Sequence, residues 1–393
     1  MKRLFLILFV FLGLLQSVQS QNIRLSDEAE ISVLTCGASD LIHAIYGHTA
    51  IRVNDPVRHW DVVFNYGVFS FNAPNFVYRF AKGKTDYLLA PERYDSFYDG
   101  YVRNGRSVLE QVLNLTKEEK QLLLDFLIDN AKPENREYRY NFFHDNCATR
   151  VRDVIENQVE GAVLFASAGE GRTFRQHAED YQKILPWTNF GIQLVLGSPS
   201  DRLASAYDEM FLPAYLYRQF AEATISHNGE TRSLVKATNV IYQAEEVTVS
   251  WVTIYSPELI LLLALLVVFW NSLRQIKSQR VRYGVDYLLL SIHGIIGLIL
   301  LWFFIYSEHP AMKANYNQLW AVALNLPFVF LWMIKKWRPL FRWYWVVLSA
   351  WLLLFFPLSL FLPQQFIPGF YLLVAMLLCR SLLHSWFILK GNS

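Results

Sequence analysis

From residue 251 onward the chain is built of apolar runs, and hydrocarbon admits very few backbone conformations. Segments near 251–271, 285–306, 318–334, 343–362 and 366–389 each approach the ~20 residues that a helix needs to cross a bilayer. No water is available at that depth for N–H and C=O groups, so the backbone must satisfy itself within a helix or a closed barrel. Residues 251–393 are therefore expected to form a five-helix transmembrane bundle, with a first span whose start is blurred by Pro257 and Glu258. The loops alternate in charge. Arg274, Lys277, Arg280 and Arg282 lie in 272–284, and Lys335, Lys336, Arg338 and Arg342 in 335–342; 307–317 has only Lys313, and 363–365 has no basic residue. Basic loops stay in the cytoplasm, which predicts a bacterial inner-membrane protein with residues 22–250 outside and the C-terminus in the cytoplasm.

The N-terminus agrees independently. Lys2 and Arg3 precede an apolar run from Leu4 to Leu15 and then Val18-Gln-Ser20, the pattern of a signal peptide cleaved after a small residue. Residues 1–20 are read as that peptide and 21–250 as the exported domain; an uncleaved anchor is the alternative, although the run is short for a span. Overall charge hides a division: 22–256 holds 23 Lys/Arg against 31 Asp/Glu, and 257–393 holds 11 against 3. An acidic exported half with no basic cluster excludes nucleic acid as a partner, since phosphate neutralisation needs a cationic surface.

The exported half reads as α+β. Short β-branched or aromatic runs at 31–34, 49–53, 61–66 and 107–115 are punctuated by Gly37, Asn54-Asp55-Pro56 and Gly105, as strands are. Thr116 with Glu119 makes a capping-box start for a helix whose apolar face is Leu122, Leu123, Phe126 and Leu127. A second helix opens near Asn146-Cys147 and runs through Val151 and Ile155; 161–171 reads as a loop and 201–222 as helical pieces.

Three cysteines occur, Cys36, Cys147 and Cys379. Two exported thiols are no disulfide framework for a domain this size, although a Cys36–Cys147 bond would be compatible with an oxidising compartment. Cys379 sits in an apolar segment as a small packing residue. Cys147 follows Asp145 and Asn146, both good N-cap types. The first turn of a helix lowers a thiol pKa through its unpaired N–H groups, so Cys147 is the candidate nucleophile. His48, delivered by Gly47 at the mouth of a strand, is the candidate general base; His43 and His144 compete with it. A base needs a partner that fixes its tautomer. Asn65 on the next strand is chosen for that role, with Asp61 on the same strand face as runner-up. No C-x-x-C or H-x-x-x-H spacing suggests a metal, and no motif calls for a cofactor.

Five stretches carry a more specific likeness: Leu34-Thr35-Cys36-Gly37, Tyr46-Gly47-His48-Thr49-Ala50-Ile51-Arg52, Phe64-Asn65-Tyr66-Gly67, Pro133-Glu134-Asn135-Arg136, and Tyr140 through Arg150. Together they resemble the Lnb-type periplasmic domain, whose members are similar to circularly permuted papain-like (NlpC/lecithin-retinol-acyltransferase-like) enzymes. The likeness is close over 30–160 and diffuse beyond. It implies an integral-membrane lipoprotein N-acyltransferase with Cys147 as nucleophile, His48 as base and, less directly, Asn65 as orienter. Its partners would be a phospholipid acyl donor, diacylated lipoproteins as acceptors, and the membrane. Two other readings stay open on the same residues: a cell-wall peptide hydrolase using the same Cys–His pair, and a non-catalytic envelope protein with Cys36 and Cys147 joined. The role of His293, inside the second span, is left unassigned.

Overall fold

The computed structural model describes residues 23–165, 169–245 and 255–391. The expected signal peptide at 1–20 and the junction at 250–251 lie outside the described residues. A seven-stranded sheet organises the exported half. Its strands are β1 (Glu30–Cys36), β2 (His48–Asp55), β3 (Trp60–Val68), β4 (Asp86–Arg93), β5 (Val108–Leu113), β6 (Glu137–Arg139) and β10 (Val235–Tyr242), in the order β10-β5-β1-β2-β3-β4-β6. Every neighbouring pair is antiparallel. A second, three-stranded sheet joins β7 (Ala162–Leu164), β8 (Thr224–His227) and β9 (Glu230–Ser233). Part of the stretch read as a loop is thus the strand β7, whose three residues were too short a run to signal themselves beside Gly161.

Each face of the large sheet is covered by a different helix. On one face Ile31, Val33, Ile51, Val53, Phe64 and Tyr66 are buried with Leu123, Leu124 and Leu127 of α3 (Lys117–Asn130) and Ala148, Val151 and Ile155 of α4 (Cys147–Gln158). On the other, Leu34, Cys36, Ala50, Val63 and Val108 pack on Phe97 and Tyr101 of α2 (Tyr94–Arg103). The alternation of side chains along a strand sorts these two sets. The start of α3 carries the capping box expected of it: Thr116 accepts from the Glu119 amide, and Glu119 accepts from the Thr116 amide. Glu119 is fully buried there and also takes Arg232 of β9 at 2.5 Å, tying the helix start to the second sheet.

The C-terminal half is helical: α9 (Pro257–Ser278), α10 (Gly284–Tyr306), α11 (Asn325–Met333), α12 (Arg338–Phe341), α13 (Trp343–Ser359) and α14 (Pro368–Leu389). Among the described residues three helices, α9, α10 and α14, are individually long and apolar enough to cross a membrane; a fourth span results if the pair 335–341 and 343–359, bent by 52°, counts as one. The segment expected at 318–334 is α-helical only over Asn325–Met333, after a 3-10 turn at Tyr316–Leu319. Pro327 has no N–H to continue a helix from the preceding turn, and the polar side chains of Asn317 and Asn325 are fully buried there on hydrogen bonds to Leu194 O and Tyr344 Oη.

Both halves dock through backbone-directed bonds. Asn315 and Asn317 donate to Leu194 O of α6 (Pro186–Val195) at 2.8 and 3.0 Å. Gly197 follows so closely on Lys313 that a Cβ would lie 1.9 Å from its carbonyl oxygen. A second contact joins α1 (Phe76–Lys82) to the α10 exit loop: Ser307 Oγ donates to Ala81 O at 2.8 Å, Glu308 N to Lys82 O at 2.8 Å, and His309 Nε2 lies 2.7 Å from Phe80 O.

Candidate active site

The site forms at the end of the large sheet that faces the bundle, where β1 and β3 finish and β2 begins. Pairing of β2 with β3 stops at Ile51–Phe64, and the β3–β4 register shifts between Asn65 and Val68. The sheet opens there. Gly47 (φ +82) turns the chain into β2 with no room for a side chain, since a Cβ would sit 2.6 Å from Cys36 O. That close approach fixes His48 opposite Cys36 in the β1–β2 register. In the opened end His48 Nε2 lies 3.2 Å from Asn65 Oδ1, while Asn65 Nδ2 donates to Glu92 Oε1 of β4 at 2.7 Å. A carboxylate can only accept, so Glu92 leaves the amide oxygen for the imidazole. Nε2 is then the N–H, and Nδ1 carries the free lone pair.

Cys147 opens α4, which packs across β2 and β3. Its N-cap, Asn146, is buried and accepts from the Ala148 and Thr149 amides at 2.8 and 3.0 Å, and its own amide group donates to Phe142 O and Phe211 O. Those four bonds fix where the helix begins. Cys147 lies against the bare face of Gly67, where a Cβ would be 3.5 Å from Cys147 Cβ and 3.7 Å from the Tyr138 hydroxyl. The backbone N–H of Thr49, the residue after His48, acts on the thiol in the direction that favours its charged form. The Tyr138 hydroxyl is buried with no hydrogen-bond partner among the described residues.

Burial dominates the electrostatics. It pushes the Cys147 thiol above the ordinary cysteine value, outweighing the Thr49, Ala148 and Cys147 amides and the Arg106 guanidinium, which all pull the other way. The lowered value expected for a thiol at a helix start is therefore not reached, because the cost of a buried charge exceeds what the helix end returns. His48 is lowered to about 4, first by burial and against its bond to Asn65. Both shifts favour the neutral form, a thiol at Cys147 and an uncharged imidazole at His48.

The other candidates go elsewhere. Asp61 is bound by Arg52 through Nε and Nη2 at 2.8 and 2.7 Å, four residues up the strand from Asn65. His43 stands edge-on to Phe69 and Phe71, and His144 packs on Phe143 and Phe174. Cys36, Cys147 and Cys379 are all free thiols, so the Cys36–Cys147 disulfide is absent. Cys36 is buried and pushed up to about 12 by that burial. Among the described residues no three His, Cys, Asp or Glu side chains converge as a metal would require. Sequence reasoning missed Glu92, Tyr101, Arg106 and Tyr138. Only Glu92, at the tail of a strand next to the one bearing Asn65, had any signal that could have raised it.

A cysteine at a helix start and a histidine–amide–carboxylate chain share one sheet end, held against a membrane bundle. These features define a membrane-anchored protein with a thiol-type candidate site. The chain belongs to the Lnb family: the Lnb N-terminal periplasmic domain matches residues 19–185, and the Lnb transmembrane domain matches residues 248–392. It is accordingly an inner-membrane protein with a periplasmic N-terminal domain. No curated protein and no solved structure matches the chain.

Proposed function

We propose that the protein is a lipoprotein N-acyltransferase that moves an acyl chain from a phospholipid, through a Cys147 thioester, to the N-terminal amine of a diacylated lipoprotein. Membership of the Lnb family supports a lipoprotein-modifying membrane enzyme. The observation that carries the finer reading is the His48–Asn65–Glu92 chain, built at the sheet end where Cys147 opens its helix. In this reading His48 Nδ1 takes the thiol proton as sulfur attacks the ester carbonyl carbon. The tetrahedral intermediate collapses, and the departing glycerol oxygen takes that proton, leaving thioester and lysophospholipid. The lipoprotein amine then attacks the thioester carbonyl, gives its proton to His48, and expels the Cys147 sulfur, which is reprotonated. The Thr49 and Cys147 backbone amides, both of which favour the charged sulfur, are the donors available to the oxyanion.

A lipid donor suits the surroundings better than a peptide. From the Gly67 turn a run of stacked rings, Tyr87–Phe69–Phe76–Phe80, leads to α1. No residue of α1 is buried, and Tyr78 touches Trp302 of α10 with ring centroids 5.8 Å apart. Leu41, Ile42, Phe71, Val77 and Tyr78 are each at least half exposed, and apolar side chains exposed in such number suit an interaction surface. Family, loop charge and the shared side of the 307–317 loop and the exported domain support five crossings with a cytoplasmic C-terminus. Residues 1–20 as signal peptide, 21–250 as catalytic domain and 251–393 as bundle complete the reading.

Full-length protein in detergent, given labelled phospholipid and no acceptor, is expected to become labelled, with hydroxylamine at neutral pH removing the label. A diacylated lipopeptide should discharge it onto nitrogen, and an N-acetylated one should not. Cys147→Ala protein that still converts diacylated lipopeptide at the wild-type rate rules the mechanism out, and release of cell-wall peptides instead points to the hydrolase.

A further inference from the structure

Among the described residues the guanidinium of Arg106 has no counter-ion. Most arginines of the exported domain reach a carboxylate, among them Arg52 on Asp61, Arg150 on Asp145, Arg175 on Asp201 and Arg232 on Glu119. Among the described residues Arg106 makes no ion pair and one hydrogen bond, Nε to Gly37 O at 2.9 Å, and its Nη2 is buried without a partner. An orphaned buried donor on a cation is costly and calls for a ligand. Its plane lies over the Tyr101 ring, 4.6 Å from the centroid, and that ring is stacked at 8° on His48 with centroids 6.5 Å apart. Arg106 is thus held at the candidate site, one ring away from the imidazole.

Among the described residues none of its neighbours supplies the missing negative charge. Burial keeps both the Cys36 thiol and the Tyr101 hydroxyl above their ordinary values, hence protonated, and the Cys147 thiol is raised as well. A guanidinium repels the ammonium form of an amine acceptor, so the anion it awaits belongs to the acyl donor. Guanidinium forks match phosphate oxygens.

We propose that Arg106 binds the phosphodiester of the donor phospholipid's headgroup, with its free Nη2 donating to a phosphate oxygen while Nε stays on Gly37. This inference rests on the acyl-transfer reading and adds the selector that separates phospholipid from neutral glyceride. Donor turnover is measured with full-length protein in mixed micelles, using phosphatidylglycerol and the diacylglycerol with the same two chains. Wild type should prefer the phospholipid. Arg106→Gln should reduce the ratio of the two kcat/KM values by about tenfold, chiefly through KM of the phospholipid, as loss of a charge-assisted bond requires. Arg106→Lys should recover part of that preference. An equal loss of kcat for both donors would place Arg106 on the oxyanion or in the fold, and overturns the proposal. A second arm needs no catalysis: Cys147→Ala protein should bind fluorescent phosphatidylglycerol about tenfold more tightly than Cys147→Ala/Arg106→Gln protein does, with diacylglycerol bound equally by both. If wild type transfers acyl groups from neither donor, the acyl-transfer reading fails, and the binding arm still decides the role of Arg106.

Discussion

Glu92 reaches neither thiol nor substrate, yet it selects which face of the Asn65 amide His48 sees. Its bond from Asn65 Nδ2 is 2.7 Å long, and a hydrogen bond to a charged group contributes about 2 kcal/mol net. If that bond alone orients the amide, the two flip states differ by roughly thirtyfold, at about 1.4 kcal/mol per factor of ten. Glu92→Gln keeps an acceptor and should hold activity within about twofold. Glu92→Ala makes the two faces equivalent, halving the competent fraction, so a loss of only about two- to threefold is expected. Glu92→Lys presents a donor where the carboxylate stood, turns Asn65 Nδ2 toward His48 and forces the proton onto Nδ1. The same 2 kcal/mol then works in reverse, for a loss of roughly thirtyfold. The rate of Cys147 thioester formation in a single turnover measures all three, with thermal unfolding as control for the fold. Equal losses in Glu92→Ala and Glu92→Lys would refute the orientation argument, because only an amide flip makes a donor worse than nothing.

Gly47→Ala should place its methyl 2.6 Å from Cys36 O at φ +82, displacing the start of β2; thioester formation should fall by more than tenfold while α4 stays intact by hydrogen exchange. His48 titrates near 4 in the fold and at its ordinary 6.5 when unfolded. The unfolded chain therefore binds more protons between those values, and the stability His48 contributes is full above about 6.5 and lost as pH falls toward 4. The span is about 3 kcal/mol at most, at 1.36 per pKa unit, and His48→Gln should flatten that part of the pH profile of unfolding in detergent. In the bundle, Arg380 holds Asp286 at 2.5 and 3.0 Å, with both side chains fully buried and His384 Nε2 2.9 Å from the same carboxylate. Breaking such a pair from one side costs about 3–5 kcal/mol, so Asp286→Ala should lower the melting temperature more than Asp286→Leu/Arg380→Met does.

The strands at 31–34, 49–53 and 61–66, the Thr116 cap and the helix start at Cys147 were legible because each is encoded locally, by alternation, by a capping pair or by an N-cap type. The choice between Asn65 and Asp61 was not, since both share a strand face; Arg52, nine residues before Asp61, decides it by claiming the carboxylate. Glu92 acts across 27 residues of sequence, and Arg106 bonds to Gly37 across 69. No motif spans such distances. The direction of the Cys147 shift was misjudged for the same reason: the helix end is written beside the cysteine, whereas the burial that outweighs it is contributed by the whole fold. The third apolar run reads as one continuous helix by composition, and Pro327 within it is the residue that signals a shorter regular helix.

Attachment of the exported domain through two separate helices sets a vertical dimension. A domain on a single tether sweeps a hemisphere and meets lipid at any height. Here α6 is bonded to Asn315 and Asn317, and α1 to Ser307, Glu308 and His309. Tilting the domain about either contact strains the bonds at the other. The standoff between the Cys147 end of the sheet and the bundle is consequently a built length rather than an average, and the molecule behaves as a depth gauge whose reading is set by the α10 exit loop. Lengthening that loop between Lys313 and Asn315 would recalibrate it without touching a residue at the sheet end.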